Sequence, residues 1–293
     1  MHILNSMPPR NLFGLESQDY KSAAIAVLPI PYDSTVSYGA GAREGPKAII
    51  DASRHIELFN EELGFDPSKS GIFTLEELEP NVDSPAAMVN AIAKEVAILL
   101  EDGKTPLLLG GEHTIALGAI KALADAGRKF SVLHFDAHSD SRDEFMGSRY
   151  SHACVASRAK ELAGNCYSIG VRSIDEASFN KGGSILYMKD IHSIGPGKAE
   201  DWISRNVKGD IYITIDLDVL DPSEMPSVGT PEPDGMRYKE LTSLLKYVLS
   251  EHKLLGADIS ELAPIPYLKA PDYLAAKLAY MLIGYSLRKS SMQ

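Results

Sequence analysis

Short apolar runs, spaced by stretches of helical periodicity, constrain this chain more than any other feature. They fall at residues 23–28, 106–109, 130–135, 167–171, 184–187, 211–215 and 254–257. A strand apolar on both faces must be covered on both. That is how parallel strands joined by crossover helices read. Over 85–101, Met88, Ile92, Val96 and Leu99 form one stripe. Over 238–251, Leu241, Leu244, Leu245 and Val248 recur at i, i+3, i+4, i+7, the mark of a helix with one buried face. Further helices are expected over 45–59, 114–126, 151–162, 199–206 and 271–287. This alternation predicts an α/β fold: a doubly wound, mainly parallel sheet with helices on both faces. It is read as a single domain over 1–293, with an N-terminal arm over 1–20 and a C-terminal tail over 288–293.

Ligands of such sheets bind beyond the carboxyl ends of the strands, so the residues just past each strand carry the most information. Gly110-Gly111-Glu112-His113 stands after one run and Asp136-Ala137-His138-Ser139-Asp140 after another. Asp216-Leu217-Asp218 and Asp258-Ile259-Ser260-Glu261 stand after two more. In extended chain, residues two apart share a face, which groups Asp136, His138 and Asp140, and likewise Asp216 and Asp218. Carboxylates crowded on one sheet edge repel, and their protons are held more tightly. Two divalent cations would balance Asp136, Asp140, Asp216 and Asp218, with His113 and His138 completing the ligand set. Carboxylates and imidazoles without thiolate suit Mn²⁺, with Fe²⁺, Co²⁺ or Zn²⁺ as competitors. Such a pair can activate water for hydrolysis. Asp258 and Glu261 taken alone read either as a helix start or as a substrate clamp.

The balance of 29 Lys+Arg against 40 Asp+Glu gives a net charge of −11. That is the wrong sign for a nucleic-acid partner and suits a small cationic substrate. The longest nearly apolar run, 96–100, is far too short to span a bilayer. The first twenty residues lack a basic segment followed by an apolar core, so no signal peptide is expected. Cys154 and Cys166 form neither a CxxC nor a zinc spacing, which fits reduced thiols in the cytoplasm.

The segments GGEHT (110–114), FDAHSD (135–140), TIDLDVLDP (214–222), GTPEPDG (229–235) and ADISELAP (257–264) resemble the ureohydrolase family of arginases and agmatinases. YDSTVSYGAGAREGPKAI, within 29–49, is similar to that family's N-terminal region, and the likeness covers roughly 20–287. The resemblance implies an arginase-like fold, two Mn²⁺ per chain and hydrolysis of a guanidino group to urea and an amine. It implies that His113, Asp136, Asp140 and Asp216 hold one metal. Asp136, His138, Asp216 and Asp218 would hold the other, so that Asp136 and Asp216 bridge. Glu261 would receive the guanidinium through a charge-assisted pair. His152 would move protons to the leaving amine, and Asp140 would be the first proton acceptor. A homo-oligomer, trimer or hexamer, is implied as well.

The loop 141–151, SRDEFMGSRYS, is expected to read the far end of the substrate. It resembles the agmatinase version, so agmatine, giving putrescine and urea, leads over guanidinobutyrate, arginine and formiminoglutamate. Arg142 and Arg149 offer a carboxylate-binding alternative, and Asp234 departs from the usual glycine of that family segment. Two readings of another class are a metal-bound but idle subunit and a single-zinc deacetylase on the same fold. Metal content per chain separates the latter. The glycines at 39–45 do not fit a dinucleotide loop and read as a loop entering a helix. His134 and Cys154 read as packed residues, His134 next to the ligands rather than among them.

Overall fold

The computed structural model describes residues 9–181, 184–194 and 196–287. The expected tail over 288–293 and the first eight residues of the expected arm lie outside them. The strands are β1 (Ile25–Ile30), β2 (Ile72–Thr74), β3 (Thr105–Gly110), β4 (Phe130–Phe135), β5 (Cys166–Val171), β6 (Ile185–Tyr187), β7 (Asp210–Asp216) and β8 (Leu254–Ser260). They form one sheet in the order β2-β1-β3-β8-β7-β4-β5-β6, and every pairing is parallel.

Helices α1 (Gly45–Ser53), α2 (Pro85–Glu101), α3 (Ala116–Asp125), α4 (Val155–Ala163), α5 (Glu176–Lys181), α6 (Met188–Ile194), α7 (Pro196–Asn206), α8 (Tyr238–Glu251) and α9 (Ala270–Leu287) make the crossovers. Alternate residues of the central strands feed two separate cores. Leu107, Leu109, Leu133, Phe135, Ile213 and Ile215 pack with α1, α8 and α9. Leu108, Val132 and Tyr212 pack with α2, α3 and α4 on the opposite face. Emptying one such position, as in Leu108→Ala, costs about 2–5 kcal/mol in transfer energy and cavity. Helix α2 starts where it does because Ser84 Oγ accepts from the Ala87 N–H and Pro85 follows at the first helical position, a donor-sparing start.

The doubly wound sheet is as expected, with differences at element ends. Edge strand β2 and the short helices α5 and α6 had no periodic signal long enough to read. Helix α1 stops at Ser53 rather than at 59; the apolar stripe continues to the buried Ile56 in a turn. Residues 39–45 do lead through a turn into α1. β8 runs three residues further than expected, so Asp258 lies inside the strand and neither it nor Glu261 starts a helix.

The strands that carry the four polar motifs are neighbours: β3, β8, β7 and β4 occupy the middle of the sheet. Their carboxyl ends therefore bring residues near 112, 137, 217 and 260 to one place.

Candidate active site

Each central strand ends in a turn that aims its polar side chains inward. Asp136 Oδ1 accepts the His138 N–H at 2.5 Å, and Asp216 Oδ1 accepts the Asp218 N–H at 2.9 Å. These are Asx turns, in which an aspartate caps the amide two residues on. The spacing thus works through a turn rather than the extended pleat expected, and Asp140 sits at φ 43°. Asp218 Oδ1 accepts the Ala137 N–H at 3.0 Å, tying the β7 turn to the β4 turn. Asp136, Asp216 and Asp218 each commit Oδ1 to a backbone amide and keep Oδ2 for the centre.

Three Oδ2 atoms surround one imidazole nitrogen. His113 Nδ1 lies 3.1 Å from Asp136, 3.4 Å from Asp140 and 3.3 Å from Asp216. Beside this group, His138 Nδ1 lies 2.8 Å from Asp218 Oδ2 and 3.5 Å from Asp136 Oδ1. The six expected residues are therefore together. Ligand atoms within reach of one ion come from His113, His134, Asp136 and Asp140 in one group and from Asp136, His138 and Asp218 in the other. His134 thus stands among the expected ligands rather than only beside them, and Asp216 joins through His113 Nδ1. His113 Nδ1 and Asp136 Oδ2 are buried without a hydrogen bond. Buried polar atoms are rarely left so, and donors of this kind turned on one point suit a divalent cation. The residues fit the metal site that the fold family implies.

The electrostatics agree. Burial, then the charges of Asp218 and Asp136, hold the Asp216 carboxyl well above its usual range. Burial and the Asp136 charge push Asp218 up as well. Burial would lower the imidazoles, yet the carboxylates around His113 hold it well above its ordinary value. His138, facing Asp218 and Asp136, is pushed up to about 12. Burial acts to raise Asp136 too, but three imidazoles outweigh it and hold it well below the carboxylate range. The cluster draws in positive charge.

Several partners escaped the sequence reading. The Thr214 hydroxyl lies 2.7 Å from His113 Nε2 and donates to Asp258 Oδ1 at 2.9 Å. Tyr212 donates to the other oxygen of Asp258 at 2.8 Å. Register puts His134, Thr214 and Asp258 side by side across β4, β7 and β8. Strand parity then sets this polar row one step below Asp136, Asp216 and Ser260. His134 stacks on His113 at 5.1 Å, and its Nε2 lies 2.9 Å from Asp136 Oδ2. His134, unlike Thr214 and Tyr212, was expected at this place from its parity with Asp136. Burial lifts Asp258 to about 6.

The cavity above the cluster is lined by His138, Asp140, Asp216, Asp218, His152 and Glu261, with Arg142 and Phe145 at its side. Glu261 adopts φ 68°, a conformation that costs a non-glycine residue free energy and tends to mark functional positions. Its Oε1 accepts the His113 N–H at 2.6 Å. Burial first, and the Glu112 charge second, hold its carboxyl well above the usual range. Gly111 is forced here: a Cβ would stand 1.8 Å from the Tyr32 carbonyl oxygen.

In the loop 141–151, Met146 (φ 50°) and Gly147 (φ 79°) form a tight turn closed by paired Phe145–Ser148 bonds. Both turn residues have positive φ, the mirror-image turn that suits a hairpin. This aims Phe145 at His152 and stacks Arg142 over Phe145 at 5.2 Å. Arg149 instead pairs with Glu161 on α4 at 3.0 Å and does not line the cavity. Asp234 sits at φ 64°, which aspartate tolerates better than most residues. Cys154 is fully buried, as expected.

The chain belongs to the arginase family, whose profile matches residues 23–284. Over 97% of both chains it is 36% identical to an N(1)-aminopropylagmatine ureohydrolase of Synechocystis sp.. It is 32% identical to an agmatinase of Bacillus subtilis, covering 84% of this chain and 86% of that protein. The solved agmatine ureohydrolase of Thermoplasma volcanium superposes with a TM-score of 0.86 at 32% identity, over 94% of each chain. This chain is a ureohydrolase that cleaves a guanidino group. Among the described residues no helix is long and apolar enough to cross a membrane.

Proposed function

We propose that the chain is a manganese-dependent hydrolase that releases urea from agmatine and leaves putrescine. His113, Asp136, Asp140 and Asp216 would hold one ion, and Asp136, His138, Asp216 and Asp218 the second. Two such ions supply Lewis acidity and an activated water. The observation that carries this reading is the convergence of three Oδ2 atoms within 3.4 Å of His113 Nδ1, with the Glu261 carboxylate anchored to the same residue's backbone.

In this reading Glu261 receives the guanidinium, since a buried carboxylate both balances and orients a planar cation. Asp140, in the cluster and on the cavity wall, takes the first proton. His152, outside the ligand groups but on the same cavity, delivers a proton to the leaving amine. A cytoplasmic homo-oligomer acting on a small cation is part of the same proposal, and the acidic chain supports the choice of a cation.

N(1)-aminopropylagmatine is a second reading, favoured by the 36% identity to the Synechocystis relative of that name. Both substrates present the same guanidino end. The test is a panel of agmatine, N(1)-aminopropylagmatine, guanidinobutyrate and arginine with manganese-loaded protein, reading urea release and metal content. Two ions per chain and turnover of the two cationic amines are expected. Turnover of arginine alone, or one ion per chain, would overturn the reading.

A further inference from the structure

Glu112 is fully buried between Gly111 and His113, and the reaction as described gives it no work. Its contacts go to the 34–35 segment. Oε2 accepts the Ser34 and Thr35 backbone N–H groups, each at 2.6 Å, and Oε1 accepts the Thr35 hydroxyl at 2.9 Å. Thr35 has one hydroxyl proton, and that bond uses it. Its oxygen can then only accept. It accepts the His152 backbone N–H at 3.0 Å and lies 3.1 Å from His152 Nδ1.

From this hydrogen-bond accounting we infer that Thr35, backed by Glu112, is a positioning residue that orients the His152 imidazole for proton transfer. The inference rests on the reading of His152 as the proton carrier. A carboxylate-backed hydroxyl that can only accept requires a hydrogen on Nδ1. The second nearby hydroxyl, Ser151 Oγ at 3.3 Å, is free to accept from the same nitrogen. Nε2 is then the ring nitrogen left for chemistry. Its hydroxyl neighbour, Ser37 Oγ, stands at 3.5 Å, the limit of a hydrogen bond. Phe145 meets the ring edge-on, with centroids 6.0 Å apart. Ser37, Phe145 and His152 all line the cavity. The ring is thus held by one nitrogen and one edge, with the other nitrogen available to the leaving amine.

Glu112 also ties the 34–35 segment to the turn after β3, so the test must separate orientation from simple tethering. Thr35→Val keeps both backbone N–H bonds to Glu112 and removes only the hydroxyl. Thr35→Ser keeps the hydroxyl. The probe is agmatine with the manganese-loaded full chain. Thr35→Val should lower kcat ~10-fold or more, as small misplacements of a reacting group do, with KM and metal content near wild type. Thr35→Ser should recover most of that loss. On a His152→Asn background, Thr35→Val should add nothing, because residues acting through one group are not additive. An additive loss, or a rise in KM with kcat kept, would show tethering alone and overturn the inference.

The proton-transfer role of His152 has its own arm: full kcat in His152→Asn would remove that role. A crystal structure of Thr35→Val then decides the geometry separately. A turned imidazole supports positioning by Thr35, and an unmoved one rejects it.

Discussion

Thr214 joins His113 to Asp258: its hydroxyl gives its proton to the Asp258 carboxylate and so can only accept from His113 Nε2. This fixes which nitrogen of His113 carries hydrogen. Nε2 carries one, so the proton that the three aspartates hold on Nδ1 is the one a cation displaces. The arrangement is the carboxylate-backed imidazole common among metal ligands, with a threonine interposed.

Asp258→Asn should therefore weaken metal binding without unfolding the chain. The amide retains the volume and one acceptor, and loses the charge behind Thr214. We expect an affinity loss of ~10-fold or more, in line with other outer partners of metal ligands. Competition with a chelator measures it. Unchanged affinity would mean that the column of Tyr212, Asp258 and Thr214 only fills space.

Acid should release the metal. In the metal-free chain, burial and neighbouring carboxylates raise Asp216 and Asp218, and the carboxylates around His113 and His138 raise both imidazoles despite burial. Groups raised in this way hold protons that a cation must displace. Binding then releases protons, and affinity increases with pH. Titration between about pH 6 and about pH 9 in buffers of different ionisation enthalpy should show this release. Asp216→Ala should lose at least one ion and nearly all activity, with circular dichroism little changed. Full metal occupancy in that variant would remove Asp216 from the bridging role.

Glu261→Gln should act on the guanidino end alone. The amide removes a charge and turns an N–H toward a cation. We expect kcat/KM to fall ~10²-fold, about 2.7 kcal/mol of transition-state stabilisation, equally for each guanidino substrate. Both ions should stay bound. A re-ranking of substrates would move Glu261 to another task.

Residues at the side of the cavity should do the re-ranking instead. Arg142→Ala and Phe145→Ala should each change the ratio of agmatine to N(1)-aminopropylagmatine turnover by ~10-fold, the scale of a single pocket contact. Arg149→Ala should leave it unchanged, since that side chain is engaged with Glu161 on α4. An effect of Arg149 equal to that of Arg142 would contradict this division.

The six clustered residues were legible because DxHxD, DxD and GGEH each stand after an apolar run, and parallel strands present all their ends on one edge. Less legible was the local geometry. The i, i+2 spacing suggested a pleat where the chain makes Asx turns. Asp258 read as a helix start or a substrate clamp because apolar character alone ended β8 at Ala257. A polar row continuing a buried strand looks the same in sequence as the start of a loop. Thr35, Thr214 and Glu112 carry no spacing signal, since their partners lie 44 or more residues away. Edge strand β2, Ile72–Thr74, has only two consecutive apolar residues before Thr74, whereas β6, equally short, is apolar throughout.

β8 is the last strand among the described residues and lies between β3 and β7 at the centre of the sheet. The two flanking groups of strands, β2-β1-β3 and β7-β4-β5-β6, share no direct strand pairing until it arrives. Such long-range closure is slow. During synthesis β7 and β3 wait with unpaired edges, which are open to wrong partners. Glu261 comes immediately after the strand that closes the gap, so this cavity-lining carboxylate takes its place only as the sheet becomes continuous. The charged centre is a late event in the birth of the molecule.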